Sequence, residues 1–221
     1  MWMKVCGIRD SETARQISEL DIDAIGLNFY HGSSRVVTVD EACEISRILP
    51  AKIDRVGVFV NHSVDDVESI ANHCNLDAIQ IHGDEPASHL LELRRRMPDI
   101  RLIRAWRMGE GGLKCLNKYL DECHGGKCQL AGCLIDAHVA GVYGGSGKTV
   151  SWTQLVREYD RANWPPLILA GGLTASNIAD AIAATGAWGV DVASGVESSA
   201  GVKDLDLIQQ FIVNARKIVG S

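Results

Sequence analysis

The chain has 221 residues, of which 46% are hydrophobic, and its charged side chains give a formal net charge of −6. This length suits one α/β barrel, so we expect residues 1–221 to form a single domain. A protein with a negative net charge has no overall positive potential to attract nucleic acid or an anionic membrane, so we expect neither as a partner. No apolar run reaches the roughly 20 residues that span a bilayer, and the N-terminal segment lacks the apolar stretch of a secretory signal. We therefore expect a cytoplasmic protein.

Short apolar runs alternate with amphipathic segments along the whole chain. The first half reads MKVCGI then SETARQISEL, DAIGLNF then DEACEISRIL, RVGVFV then VDDVESIANHC, and DAIQIHG then ASHLLELRRRM. The second half reads IRLIRAW then GLKCLNKYLDEC, LAGCLIDA then SWTQLVREYDR, PPLILAGG then TASNIADAIAATG, and WGVDVAS then DLDLIQQFIVNARKI. Strands that are apolar throughout indicate a parallel sheet covered on both faces. Eight such strand–helix units predict a (β/α)8 TIM barrel, with an open doubly wound sheet as the alternative.

The seven cysteines are spaced in a way that favours free thiols. Cys123, Cys128 and Cys133 are each separated by four residues, whereas zinc sites usually contain closer pairs. An odd number of cysteines without a secretory signal is typical of a reducing compartment. We therefore expect neither disulfide bonds nor a bound metal.

The segment GGSGKT, residues 144–149, resembles the end of a nucleotide-binding P-loop. A full P-loop needs a glycine five residues before Gly147, and that position is Val142. About fourteen residues separate Asp136 from the next predicted helix, whereas a P-loop passes directly from strand to helix. We therefore expect no bound nucleotide and interpret the segment as a glycine-rich loop that closes over a ligand at the barrel mouth.

In TIM barrels, the functional residues lie at the carboxyl ends of the strands and in the loops that follow. The segments AGGLTASN and ASGVES follow strands seven and eight, where barrels often bind phosphate through backbone N–H groups. Cys6 and Asp136 each end a predicted strand. A thiolate and a carboxylic acid at one barrel mouth would supply a base and an acid without a cofactor. The residues alone therefore indicate proton transfer on a phosphorylated small molecule.

Eight ordered segments resemble phosphoribosylanthranilate isomerase of tryptophan biosynthesis. They are KVCGIRD, NFYHGSSR, VGVFVN, QIHG, LIDA, GGSGKTVSW, AGGL and VDVASGVE, and the resemblance extends from residue 3 to about residue 213. The resemblance implies a (β/α)8 barrel that needs no cofactor. It also implies an Amadori rearrangement, in which the aminoaldose phosphoribosylanthranilate becomes an aminoketose.

The same resemblance implies a role for individual residues. It places the general base at Cys6, the general acid at Asp136 and an arginine that faces the anthranilate carboxylate at Arg35. The phosphate-binding main chain falls at Ser146, Gly147, Gly172, Leu173, Ser194 and Gly195. Gln80 and His82 match an element that we interpret as supporting hydrogen bonds. The chemistry requires a Cys6 thiolate, and hence a lowered pKa, together with a protonated Asp136.

Three questions stay open from the sequence. A related isomerase family of the histidine pathway performs the same rearrangement. That family has an aspartate as the base at the end of strand one, whereas this chain has Cys6 there. The chain could also be a noncatalytic barrel that binds phosphorylated ligands, and only an activity assay distinguishes this alternative from an enzyme. Trp106 lies at the predicted fifth strand, either within the barrel or against the anthranilate ring.

Overall fold

Parallel strands alternate with helices along the chain. The computed structural model describes residues 1–109, 111–137 and 151–219. The barrel strands are β1 (Trp2–Cys6), β2 (Ala24–Asn28), β3 (Asp54–Phe59), β4 (Ala78–Ile81), β5 (Arg101–Met108), β6 (Gly132–Ala137), β7 (Leu167–Leu169) and β8 (Gly189–Val192). The helices are α1 (Ser11–Ser18), α2 (Val39–Ile48), α3 (Val64–His73), α4 (Ala87–Arg96), α5 (Lys114–Gly125), α6 (Trp152–Glu158), α7 (Ile178–Thr185) and α8 (Leu205–Val219). Two further strands, β9 (Glu197–Ser199) and β10 (Val202–Lys203), form an antiparallel hairpin before α8.

The eight parallel strands form a closed barrel in sequence order. β1 pairs in parallel with β2 on one side and with β8 on the other. In this register Cys6 lies beside Gly26, and Lys4 lies beside Asp191. The closed order confirms the predicted (β/α)8 barrel and rules out the open doubly wound sheet.

Hydrophobic residues form two separate layers. The larger cluster lies between the strands and the helices and contains Met3 and Val5 of β1. A smaller cluster fills the inside of the barrel and consists of Ala24, Val56, Ala78, Ile103, Ala105, Leu134, Ile168 and Ala170. Because successive strand residues point to opposite faces, Lys4 and Cys6 lie on the inner face of β1. The inside of the barrel therefore combines an apolar filling with a few polar residues.

Polar side chains fix the start of several helices. Asp10, Thr38, Ser63 and Ser151 each accept a hydrogen bond from a backbone N–H in the first turn of the helix that follows. The Glu41 side chain in turn accepts a hydrogen bond from the Thr38 backbone N–H, and the two bonds together form a capping box. Such caps each stabilise a helix by about 1 kcal/mol. In the part of the chain that the structure describes, no helix is both long and apolar enough to cross a bilayer.

Candidate active site

A cavity at the carboxyl ends of the barrel strands brings most of the predicted site residues together. Those lining it are Cys6, Arg35, Gln80, His82, Asp136, Gly172, Leu173 and Ser194. Asn28, Ser33, Val58, Val60, Ala170, Gly171, Asp191, Val192 and Ala193 complete its described wall. Gly195, which follows Ser194, is not among the described lining residues, and its backbone lies against the Leu173 carbonyl oxygen. Ser146 and Gly147 lie outside the described residues.

Cys6 is the last residue of β1, and its sulfur packs closely over β2. A Cβ atom on Gly26 would lie 2.5 Å from the Cys6 Sγ, so a glycine is needed at that position. Burial raises the pKa of the Cys6 thiol, whereas the ammonium groups of Lys4 and Lys203 act to lower it. The net direction is opposite to the lowered pKa that the family resemblance implied, because desolvation of the thiolate outweighs the attraction of the two cations.

Two buried charges that the sequence analysis did not select lie next to Cys6. The Lys4 Nζ atom is 2.8 Å from Asp191 Oδ1, and the two side chains are 0% and 9% exposed. Although burial opposes its charge, Asp191 and Cys6 raise the pKa of Lys4 above its ordinary value. The sequence signal was the presence of a lysine and an aspartate within otherwise apolar strands. Their partnership, however, depends on the pairing of the first strand with the last.

Asp136 is part of a short row of polar side chains across β4 and β6. The Gln80 side-chain nitrogen donates to His82 Nδ1 over 2.9 Å, and His82 Nε2 lies 3.6 Å from Asp136 Oδ2. All three residues are buried. With Nδ1 accepting, the neutral imidazole carries its proton on Nε2, on the side of Asp136. This arrangement brings the predicted supporting pair, Gln80 and His82, into line with the predicted acid.

Arg35 is fixed by the hairpin that follows β8. Its Nε and Nη2 atoms donate to Oε1 and Oε2 of Glu197, both over 2.7 Å. Glu197 also accepts a 2.6 Å hydrogen bond from Lys203 Nζ. Although burial opposes its charge, hydrogen bonds from Arg35 and Lys203 lower the pKa of Glu197. Within the described residues, the Arg35 Nη1 group makes no hydrogen bond. Sequence reasoning missed Glu197, although it ends the segment ASGVE.

The loops after β7 and β8 contact each other through their backbones. Gly171 and Gly172 have φ angles of 82° and 61°, in the left-handed region that favours glycine. A Cβ atom on Gly195 would lie only 1.8 Å from the Leu173 carbonyl oxygen. Among the described residues, the backbone N–H groups of Gly172 and Leu173 have no hydrogen-bond partner. Free N–H groups on a glycine turn favour an anion.

Trp106 packs away from the cavity. Its ring meets the Tyr119 ring edge-on, with the centroids 5.7 Å apart, in the space between β5 and α5. The Arg104 guanidinium lies 5.6 Å from the Trp106 ring centroid. Trp106 therefore belongs to the outer hydrophobic layer, which answers the question left open by the sequence.

The sequence model of the family described as N-(5'phosphoribosyl)anthranilate (PRA) isomerase matches residues 3–214. The chain belongs to this family. The PRA isomerase of Trichlorobacter lovleyi is 36% identical over 215 residues, which cover 97% of this chain and 98% of the relative. The PRA isomerase of Acidithiobacillus ferrooxidans is 39% identical over 214 residues, which cover 97% of both chains. The family resemblance inferred from the sequence motifs is thereby confirmed.

Solved structures of PRA isomerases have the same fold. The crystal structure from Thermotoga maritima has a TM-score of 0.84 and 32% sequence identity, covering 98% of this chain and 99% of the other. A PRA isomerase in complex with reduced 1-(o-carboxyphenylamino)-1-deoxyribulose 5-phosphate gives a TM-score of 0.82 and 31% identity, with the same coverage. These matches favour PRA isomerase over the histidine-pathway enzyme that the sequence left as an alternative.

Proposed function

We propose that the chain isomerises N-(5'-phosphoribosyl)anthranilate to 1-(2-carboxyphenylamino)-1-deoxyribulose 5-phosphate in tryptophan biosynthesis, with Asp136 as general acid and Cys6 as general base. The observation that carries this proposal is that Cys6 and Asp136 line the same cavity in a member of the PRA isomerase family. A sulfur base and a carboxyl acid suit a reaction that consists of proton transfers.

The first step is ring opening by Asp136. Its carboxyl group gives a proton to the furanose ring oxygen, the bond from that oxygen to C1 breaks, and the anthranilate nitrogen lone pair forms the C1=N bond of a protonated Schiff base. His82 Nε2, which lies 3.6 Å from Asp136 Oδ2, then stabilises the carboxylate that is left. The role of His82 is therefore to position and stabilise the acid.

The second step is removal of the C2 proton by the Cys6 thiolate. The electrons of the C2–H bond form a C1=C2 double bond, and the C1=N pair returns to nitrogen, giving an enolamine. Tautomerisation to the ketone places a proton on C1 and removes one from the C2 hydroxyl. Cys6 packs against Gly26 at the cavity wall, a placement that leaves its sulfur accessible to C2 from one side.

Substrate orientation follows from the two ends of the cavity. The free Nη1 of Arg35 is available to the anthranilate carboxylate, while Glu197 fixes the plane of the guanidinium. The free N–H groups of Gly172 and Leu173, with Ser194 and Gly195 beside them, are available to the phosphate. Ser146 and Gly147 remain predicted phosphate contacts.

The test is to mix the purified protein with freshly generated phosphoribosylanthranilate and to follow loss of the substrate's fluorescence. We expect accelerated loss with the parent chain. Cys6→Ser and Asp136→Asn should each reduce turnover by about 100-fold or more. The exposed residues Cys115 and Asp99 provide the matched control substitutions Cys115→Ser and Asp99→Asn, which should leave turnover unchanged. Loss no faster than in the blank would reject the isomerase activity and favour a noncatalytic binder, and full activity in Cys6→Ser would overturn the assignment of the base.

A further inference from the structure

Five charged side chains act on Cys6 or pair with a side chain that does, and three of the five are cations. From its own strand Cys6 faces Lys4, from β8 Asp191, from β10 Lys203, and from the loop after β2 Arg35. Glu197 pairs with Arg35 and Lys203. Three cations and two carboxylates leave a net charge of +1 among these described residues. An ionised Cys6 would therefore make the cluster neutral.

The Lys4–Asp191 pair has a position that packing alone does not explain. It lies inside the barrel beside an otherwise apolar cluster, with the Lys4 side chain 0% exposed. Removing two charges from water costs several kcal/mol per ion, and hydrophobic residues of similar volume often fill such places equally well. Titratable groups with perturbed pKa values cluster at functional sites, where burial and charge partners tune reactive side chains.

Lys4 is placed to act on Cys6 and not on a ligand. The two residues are two positions apart on the inner face of β1, so their side chains are neighbours along the strand. Cys6 and Asp191 line the cavity, whereas Lys4 does not. The Lys4 ammonium therefore lies beneath the wall that a substrate would touch, and Asp191 holds it there at 2.8 Å.

We propose that Lys4 is a positioning residue whose ammonium stabilises the Cys6 thiolate, and that Asp191 holds this ammonium and limits its effect. The proposal deepens the proposed function, because a general base at Cys6 is needed only if the chain carries out that proton transfer. The two charges act on the sulfur in opposite directions. Lys4 favours the thiolate by attraction, and Asp191 disfavours it by repulsion.

The test measures ionisation of Cys6 without substrate, in a Cys115→Ser background. Each variant is treated with iodoacetamide over a range of pH, and alkylation of the Cys6 peptide is followed by mass spectrometry. Lys4→Met keeps most of the side-chain length and removes the charge. It should move the pH of half-maximal alkylation rate upward by about one unit or more, which is about a tenfold loss of thiolate at neutral pH. Asp191→Asn should move it downward.

A double variant guards against simple unfolding. Lys4→Met leaves Asp191 buried without its partner, so Lys4→Met/Asp191→Asn removes both charges together, with folding checked by circular dichroism. Its alkylation midpoint should lie between those of the single variants. Shifts in the same direction for both single variants, or unchanged midpoints, would overturn the proposal.

Turnover of phosphoribosylanthranilate gives the second readout. In Lys4→Met, we expect kcat at neutral pH to fall about tenfold and to recover as the pH rises, with KM little changed. An inactive parent chain whose alkylation midpoints still shift as stated would reject the proposed function and leave the charge effect on Cys6 standing. An active parent chain whose variants show unshifted alkylation midpoints would support the proposed function and reject the role of Lys4.

Discussion

Replacement of Gly195 by alanine should weaken phosphate binding, because it forces apart the two loops that we assign to the phosphate. A Cβ atom there would lie 1.8 Å from the Leu173 carbonyl oxygen, whereas real Cβ contacts are not shorter than 3.0 Å. The loops must therefore separate by more than about 1 Å, enough to carry a donor beyond the usual N–H···O range. Loss of two charge-assisted hydrogen bonds at about 1.5 kcal/mol each is about 3 kcal/mol, or roughly a 100-fold weakening.

The measurement is KM for phosphoribosylanthranilate together with the inhibition constant of inorganic phosphate. Both should rise about 100-fold in Gly195→Ala. The control is Gly125→Ala at the end of α5, where an added Cβ atom meets nothing within 4 Å. Thermal melts of both variants show whether the barrel is intact. A folded Gly195→Ala protein with the parental KM and phosphate inhibition would refute the assignment of these loops to the phosphate.

Three further substitutions separate chemistry, pH dependence and stability. Gly26→Ala puts a Cβ atom 2.5 Å from the Cys6 sulfur and should lower kcat about 100-fold with little effect on KM; an unchanged kcat would mean that the sulfur position is not critical. The pKa of Glu197 is lowered from 4.5, so its contribution to stability is present above that pH and lost as the pH falls through the folded-state value. The difference in melting temperature between the parent and Glu197→Gln should therefore shrink below about pH 4.5, and a constant difference would contradict the ion pair. Arg55 donates to the carbonyl oxygens of Ser46, Ile53 and Leu49, so Arg55→Met should lower the free energy of unfolding by about 2–3 kcal/mol in a denaturant titration, with kcat/KM unchanged.

The barrel was predictable because its strands are buried on both faces. Apolar runs such as LIL in β7 are typical of a parallel sheet covered on both faces, and they alternate with helical segments along the chain. The hairpin of β9 and β10 was missed, because its short polar strands show neither the two-residue alternation of a strand nor the helical spacing of apolar residues. The start of α7 was expected near Thr174 but lies at Ile178, because the Thr174 N–H bonds to the Asn177 side chain in a preceding turn.

The candidate site was predictable only where a residue's place on its own strand identified it. Cys6 and Asp136 stand at strand ends, where polar residues follow apolar runs. Lys4 and Asp191 do not, because their relation comes from the register of two strands far apart in sequence. The pairing of Arg35 with Glu197 has the same origin, since a hairpin that the sequence did not reveal carries the carboxylate.

The pairing of β1 with β8 closes the barrel by joining two strands that lie far apart in the sequence. β1 is made well before its partner β8. The helix that follows β8, α8, brings Arg216 to the Met1 carbonyl oxygen, to which it donates a hydrogen bond over 2.9 Å. Contacts of such long sequence separation form late, because the loop that they close costs the most entropy. Lys4 and Asp191 face each other across this seam. A nascent chain that ends before β8 therefore has seven strands and no charge partner for Lys4. Closure of the barrel therefore brings Asp191 beside Lys4, and with it one of the charges that act on Cys6.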